Sequence, residues 1–436
     1  MDKRFFRALG RGSLHVAMGL VLIIGASAGA SAQSQSGQSL AGTPAPSADV
    51  PQQGLLGEPH AMSKAITFIL RKRGDSGTSV AKDGFYPDMG NMPTGSGWIS
   101  AGPGFRHHVA DGRVLFDGSA AISWRAYKVA QGRFELPRLA HDHLTIGSQG
   151  LWRDATQVTY FGTGRNSLET DRSEYRVRAV DVVGYATVRA NDWLSIGGRV
   201  GWLRRPEILP TAGPFKRGNP DFQVTFPNDA AILRGQQPNY LHGEASVVAD
   251  TRDHAGHPTR GGLYRAAWTS FSDRNGGTFS FQRYEAEGVQ FIPVVADRWT
   301  IALHGFGVFS DVPAGNDVPF YLMPGLGGHN SIRSYTDYRF HDRDLVLVSA
   351  ESRWGLTAHL DAAVFVDAGN VAARAGDLDL NKRAYGVGLR VHGQTHTLFR
   401  FDAAHGSEGW HMSFRLNDPF RLSRLLNRTA PIPFVH

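Results

Sequence analysis

The chain has 436 residues, 52 of them glycine and none cysteine, and only 19% are charged. Without cysteine it builds no disulfide framework, thiol nucleophile, zinc knuckle or iron–sulfur centre. A formal net charge of +7, part of it in the first eleven residues, is too mild to support nucleic-acid binding, so no nucleic acid is expected as a partner.

In chain order the first feature is a leader. Lys3, Arg4, Arg7 and Arg11 precede an apolar run from Val16 to Ile24, and Ala30-Ser31-Ala32 ends it in small residues, so residues 1–32 read as a secretory signal peptide cut after Ala32. The run is far shorter than the ~20 residues of a spanning helix. Export without a spanning helix leaves a soluble periplasmic protein or a closed outer-membrane β-barrel, because hydrocarbon accepts only backbones that satisfy their own hydrogen bonds. Residues 33–60, rich in Ser, Gln, Gly, Ala and Pro, hold too few large apolar groups to offset chain entropy and read as a disordered linker. In residues 61–96, Met62, Ile66, Ile69 and Leu70 fall at helical spacing before Arg71, Lys72 and Arg73, although Ala65 to Leu70 reads equally as a short strand. This segment is expected to lead into the main fold.

From Gly97 onward apolar and polar residues alternate strictly. Tyr385, Val387, Leu389 and Val391 share one face and Gly386, Gly388, Arg390 and His392 the other; Thr397, Phe399 and Phe401 oppose His396, Arg400 and Asp402; Trp410, Met412, Phe414 and Leu416 oppose His411, Ser413 and Arg415. Aromatic residues near strand ends, such as Trp98, Trp299, Trp354 and Trp410, suit the girdles of a membrane barrel, with the charged residues lining an aqueous interior. The expected fold is all-β: a transmembrane antiparallel β-barrel over residues 97–420 with about 16 strands of about 10 residues each. Candidate strands include 98–108, 118–128 and 193–203, a loop is expected from Arg204 to Asn239 with its six prolines, and residues 421–436 form a tail.

Four motifs go beyond a generic barrel. They are Asp250-Thr251-Arg252-Asp253 followed by Pro258-Thr259-Arg260-Gly261; Gly327-Gly328-His329-Asn330-Ser331-Ile332-Arg333-Ser334-Tyr335; Ser349-Ala350-Glu351-Ser352-Arg353; and Phe365-Val366-Asp367-Ala368-Gly369. In order and spacing they resemble the signatures of the bacterial surface antigen barrels, the BamA-TamA-FhaC superfamily, over about residues 85–420. The resemblance implies that the loop between Asp311 and Asp342 folds back into the lumen. There Arg333 is expected to meet Asp367, with Glu351 as a further partner, as a charge-assisted pair fixing the loop tip. One departure is Ser334, where the family has glycine, which puts the tip conformation in doubt. Gly409, Met412 and Phe414 resemble the terminal-strand assembly signal, with Phe420 as the closing residue.

About 50 residues precede the expected barrel, too few for one of the family's POTRA domains, so a stand-alone barrel is expected. A homodimer or a separate periplasmic partner is left open. The resemblance also implies contact with outer-membrane lipid, including lipopolysaccharide, and insertion by the barrel-assembly machinery. No catalysis is expected: His141-Asp142-His143 lacks further ligands, no G-x-S-x-G elbow orders a triad, and Gly162-Thr163-Gly164 lacks a third glycine and a βαβ context. No cofactor or metal is expected. The leading function is polypeptide translocation or outer-membrane protein or lipid assembly gated by the Arg333 loop, against a passive diffusion pore or structural barrel.

Overall fold

The computed structural model describes residues 55–56, 64, 83–91, 99–212, 218–229, 237–295, 298–393, 397–415 and 420. The leader, most of the linker and the tail lie outside the described residues, as does Trp98. Among the described residues sixteen strands form one antiparallel sheet in plain up-and-down order. They are β1 (Gly84–Asn91), β2 (Ile99–Val109), β3 (Val114–Ser123), β4 (Lys128–Leu139), β5 (Leu144–Tyr160), β6 (Ser173–Arg189), β7 (Leu194–Pro210), β8 (Tyr240–Asp250), β9 (Gly261–Asp273), β10 (Phe281–Val295) and β11 (Trp299–Asp311). After a long loop follow β14 (Asp344–Thr357), β15 (Leu360–Ala372), β16 (Lys382–His392), β17 (Thr397–Gly406) and β18 (Gly409–Arg415). Inside that loop β12 (Gly325–Leu326) and β13 (Phe340–His341) pair as a separate two-stranded ribbon.

The faces of the sheet are inverted relative to a water-soluble sandwich. Val364, Val366, Tyr385, Val387, Leu389, Phe401, Trp410, Met412 and Phe414 are exposed on one face, whereas Arg283, Arg333, Arg390 and Arg400 are fully buried. Apolar groups outside and charges inside are what a barrel wall in lipid requires. The fold is thus the expected transmembrane β-barrel of sixteen strands, with an interior filled by polar side chains and the long loop.

Three details of the chain-order reading are corrected. The sheet starts before residue 97: β1 pairs along its whole length with β2, from Gly84 opposite Arg106 to Asn91 opposite Ile99. The expected strand 118–128 contains a turn instead, closed by Ser123 N–H to Tyr127 O at 2.8 Å and Ala126 N–H to Ser123 O at 2.8 Å, with Ala126 at φ +60°. This turn lacks the glycine or asparagine that usually announces a positive φ, so alternation runs through it unbroken. The expected loop from Arg204 begins later, because β7 continues to Pro210. Beyond Leu203 it pairs only with β6, its β8 partner having ended at Tyr240. Pro206 and Pro210 therefore sit on a one-sided stretch, where a missing N–H is tolerated.

Turns on one end of the barrel are mostly short and connections on the other end long. The loop after β11 belongs to the long end, and its first leg crosses the interior. Val318, Phe320, Tyr321, Leu322 and Met323 pack with Tyr160, Tyr175, Phe222, Tyr240, Phe271 and Phe281 in one apolar cluster. Farther along, Leu326, Ile332, Tyr335 and Phe340 pack on Phe306, Val308, Leu345, Leu347 and Val371 of β11, β14 and β15. Each large apolar side chain buried this way contributes roughly 1.5–3 kcal/mol, so the loop is a packed part of the interior.

Candidate functional site

Loop 312–343 reaches its tip through a tight chain reversal. Gly327 and Gly328 stand at φ +110° and +104°, conformations that L residues rarely adopt, and a Cβ on Gly328 would collide with the Asp337 carboxylate. Gly328 N–H donates to Tyr335 O at 3.1 Å, Gly327 N–H to Ser331 Oγ at 2.9 Å and Tyr335 N–H to Ile332 O at 3.2 Å. Ser334 does not share the positive φ of these glycines. Its side chain faces Gly406 of β17, where a Cβ would strike it. The serine at this position is accommodated by a glycine on the wall, and the tip stays tightly folded.

The reversal places Arg333 against the middle of β14 and β15. Its Nε and Nη2 donate to the two Asp367 oxygens at 2.9 and 2.8 Å, its backbone N–H to Asp367 Oδ2 at 3.2 Å and its Nη1 to Glu351 Oε2 at 2.5 Å. The guanidinium carbon lies 3.3 Å from the centre of the Phe365 ring, a close cation–π contact. Burial by itself would favour loss of the proton, but Asp367 and Glu351 outweigh it and hold Arg333 above its ordinary basicity. Alternation explains the meeting: Glu351 and Arg353 share the inward face of β14, as Phe365 and Asp367 share that of β15.

The network extends beyond the residues singled out from sequence. Glu351 also accepts from Arg353 Nε at 2.9 Å and from Arg390 Nη2 at 3.0 Å. Arg390 reaches Asp402 at 2.6 Å, and Arg400 Nη1 donates to Asp402 at 2.9 Å. Arg400 Nη2 returns to the loop, donating to His329 O at 2.8 Å and Asn330 Oδ1 at 3.0 Å. Arg390, Arg400 and Asp402 were visible as inward-facing residues, yet nothing local marked them as partners of the loop. Nearer the long end, Arg339 donates to Glu408 at 2.8 Å and to Ser167 O at 2.8 Å, and Tyr335 shares a 2.7 Å hydrogen bond with Ser407.

The remaining motif residues lie elsewhere. Gly369 faces Val346 of β14, where a Cβ would overlap the backbone oxygen, so it permits close strand approach. Arg252 donates twice to Asp250 at 2.8 Å, and Asp253 accepts from Thr259 Oγ1 at 2.6 Å, with Pro258 buried beside them. Gly261, at φ +84°, closes this β8–β9 turn, which stabilises itself and does not touch Arg333. Gly409 stands at φ +95° at the start of β18, and Met412 and Phe414 project outward at 67% and 51% exposure. Phe420 does not continue that row. It is buried with Leu263, Val289, Phe291 and Ala302, because an aromatic released from the strand gains more against this apolar wall. His141 and Asp142 form part of a turn at φ +58° and +68°, and His143 Nδ1 meets Arg189 O at 2.8 Å.

Comparison with known proteins follows the same lines. The Omp85 superfamily domain matches residues 209–406, which includes all four motifs. Among solved structures, BamA from Haemophilus ducreyi lacking POTRA domains 1–3 is similar at 12% identity and a TM-score of 0.57, over 81% of this chain and 77% of that one. CdiB from Escherichia coli is similar at 12% identity and a TM-score of 0.52, over 78% of this chain, which spans 63% of the CdiB chain. These likenesses concern the fold alone. No curated protein sequence is similar enough to be counted as a relative. Residues 209–406, a little under half of the chain, thus match the Omp85 superfamily domain, and they lie in a sixteen-stranded wall with an inward-folded loop.

Proposed function

We propose that the protein is a plugged outer-membrane barrel serving polypeptide translocation or the assembly of membrane proteins or lipids, with loop 312–343 as its gate. One observation carries the reading: Arg333 is buried between Asp367 and Glu351 with four hydrogen bonds. A diffusion pore works by keeping a water path open, whereas this loop fills the interior with packed side chains and ties its tip to the wall. Short turns face the periplasm in barrels of this class, so the loop enters from the outside. Among the described residues β1 and β18 are not paired with each other, and this seam is where a substrate would enter sideways. Outer-membrane lipid, including lipopolysaccharide, contacts the exposed apolar face, the barrel-assembly machinery inserts the chain, and a second copy or a separate periplasmic protein delivers substrate. No catalytic step is part of this function.

The test is single-channel recording in planar bilayers of the refolded protein beside a variant lacking residues 312–341. Low, flickering current that becomes large and steady on deletion is expected. Large, steady current in both would make the protein a passive pore and overturn the gated reading.

A further inference from the structure

The β8–β9 turn reaches beyond the two strands it joins. Gly256 O accepts from Thr397 N–H at 3.0 Å, at the start of β17, and this carries the next residue, His257, across the short-turn end of the barrel. There the His257 ring stacks on that of His392, with centroids 3.8 Å apart and planes 9° from parallel. Both Nε2 atoms face one carboxylate: His392 lies 3.1 Å from Asp361 Oδ1 and His257 3.4 Å from Asp361 Oδ2. All three residues are buried, and they border a cavity of about 20 Å³, enough for one water-sized particle.

Hydrogen-bond roles at His392 narrow what this cluster does. Its Nδ1 lies 2.7 Å from Gly393 O, which only accepts, so Nδ1 carries a hydrogen. Its Nε2 then faces a carboxylate, which also only accepts. Two arrangements satisfy both atoms: an imidazolium, or an Nε2 lone pair given to a cation shared with the carboxylate. An imidazolium on Asp361 needs one histidine. Here a second repeats the layout, with Nδ1 turned to Thr397 Oγ1 at 3.3 Å and Nε2 to the same carboxylate. An outer oxygen on one ring nitrogen and a ligand position on the other is how proteins fix histidines that hold zinc.

We propose that His257, His392 and Asp361 bind one divalent ion of the zinc class, with water completing the coordination. Two imidazole nitrogens and one carboxylate oxygen suit Zn²⁺, Co²⁺ or Ni²⁺ better than Mg²⁺ or Ca²⁺. The three ligand atoms lie within 4.8 Å of one another, against about 3.3 Å when ligands at ~2.0–2.1 Å share one tetrahedral ion. Closing on the ion therefore takes small side-chain movements, with each ring turning out of the parallel stack to bring its lone pair onto the metal. Arg298 and Arg353 line the same cavity, and Arg353 Nε donates to Glu351, a carboxylate it shares with Arg333 and Arg390. The bound ion would tie the β8–β9 turn to β15 and β16, fastening the short-turn end of the barrel independently of the Arg333 loop.

The experiment titrates the refolded, untagged barrel with Co²⁺ in metal-free buffer. One Co²⁺ per chain is expected, with the visible absorption of a low-coordinate nitrogen and oxygen site, displaced by Zn²⁺, together with a rise in unfolding temperature. His257→Ala and His392→Ala should abolish the absorption. Thr397→Ala, which touches no ligand atom directly, should weaken Co²⁺ binding about tenfold or more, and it decides the matter if the histidine variants fail to fold. No uptake by the unaltered protein would overturn the proposal and leave His392 an imidazolium. Undiminished uptake by a folded His257→Ala variant would also overturn it, by moving the ion to other histidines such as His107 and His108.

Discussion

At the residue scale the decisive group is Arg333. It is the cation of Asp367 and shares Glu351 with Arg353 and Arg390, so Arg333→Ala leaves the buried Asp367 carboxylate without that partner and is expected to cost about 3–5 kcal/mol of stability. Arg333→Lys keeps the charge but loses the planar fork and should fall between the two. Urea unfolding in detergent would measure both, and an unchanged midpoint for Arg333→Ala would count against the network as an anchor. A second residue makes the loop sensitive to acid. Burial lowers His341 to about 4, against about 6.5 in an unfolded chain. Below pH 6.5 the unfolded chain gains a proton that the folded one refuses, so stability declines as pH falls from about 6.5 to about 4, by about 3 kcal/mol at most. Unfolding midpoints across that window should show the slope, and His341→Asn should flatten it. Arg333, Glu351 and Asp367 were legible in the sequence because each sits inside a motif. Arg390, Arg400 and Asp402 were legible only as inward-facing residues, since their part in the anchor arises from contacts across dozens of residues.

At the element scale the loop tip depends on backbone geometry more than on contact area. Gly328→Ala forces a side chain into a left-handed position and against Asp337, and is expected to cost about 1–3 kcal/mol. Limited proteolysis of the folded barrel should then cut within 312–343, where the unaltered protein resists; equal resistance would mean that the reversal is not needed. The wall elements were largely readable, since a period of two assigns every residue of a strand to lipid or lumen once one is known. Their ends were less so. The turn at Ser123–Tyr127 hides in unbroken alternation, and the last residues of β7 hide behind two prolines that a one-sided strand tolerates. β1 was missed because it lies apart from the repetitive region and owes its strand form to pairing with β2.

At the scale of the whole molecule, the inverted distribution of polarity makes a direct prediction. Val387 lies on the exposed face midway along β16, so Val387→Arg should lower stability in lipid bilayers by about 2–4 kcal/mol, and by much less in a position near either rim. Equal effects at both depths would mean that this face does not meet hydrocarbon. The sequence by itself determined the barrel class, an approximate strand count and the inward face of the clearly alternating strands, because alternation is a local property that no distant contact has to supply. The pairing of Arg333 with Asp367 and Glu351 was expected only through the family resemblance that four motifs carry. Only the tertiary structure decided that the serine at 334 fits, that Phe420 turns inward, that Arg390, Arg400 and Asp402 complete the anchor, and that His257 meets His392 and Asp361. Each of these depends on closing long stretches of chain around one interior, and the free energy that selects such contacts comes from burial and charge pairing between residues far apart in sequence.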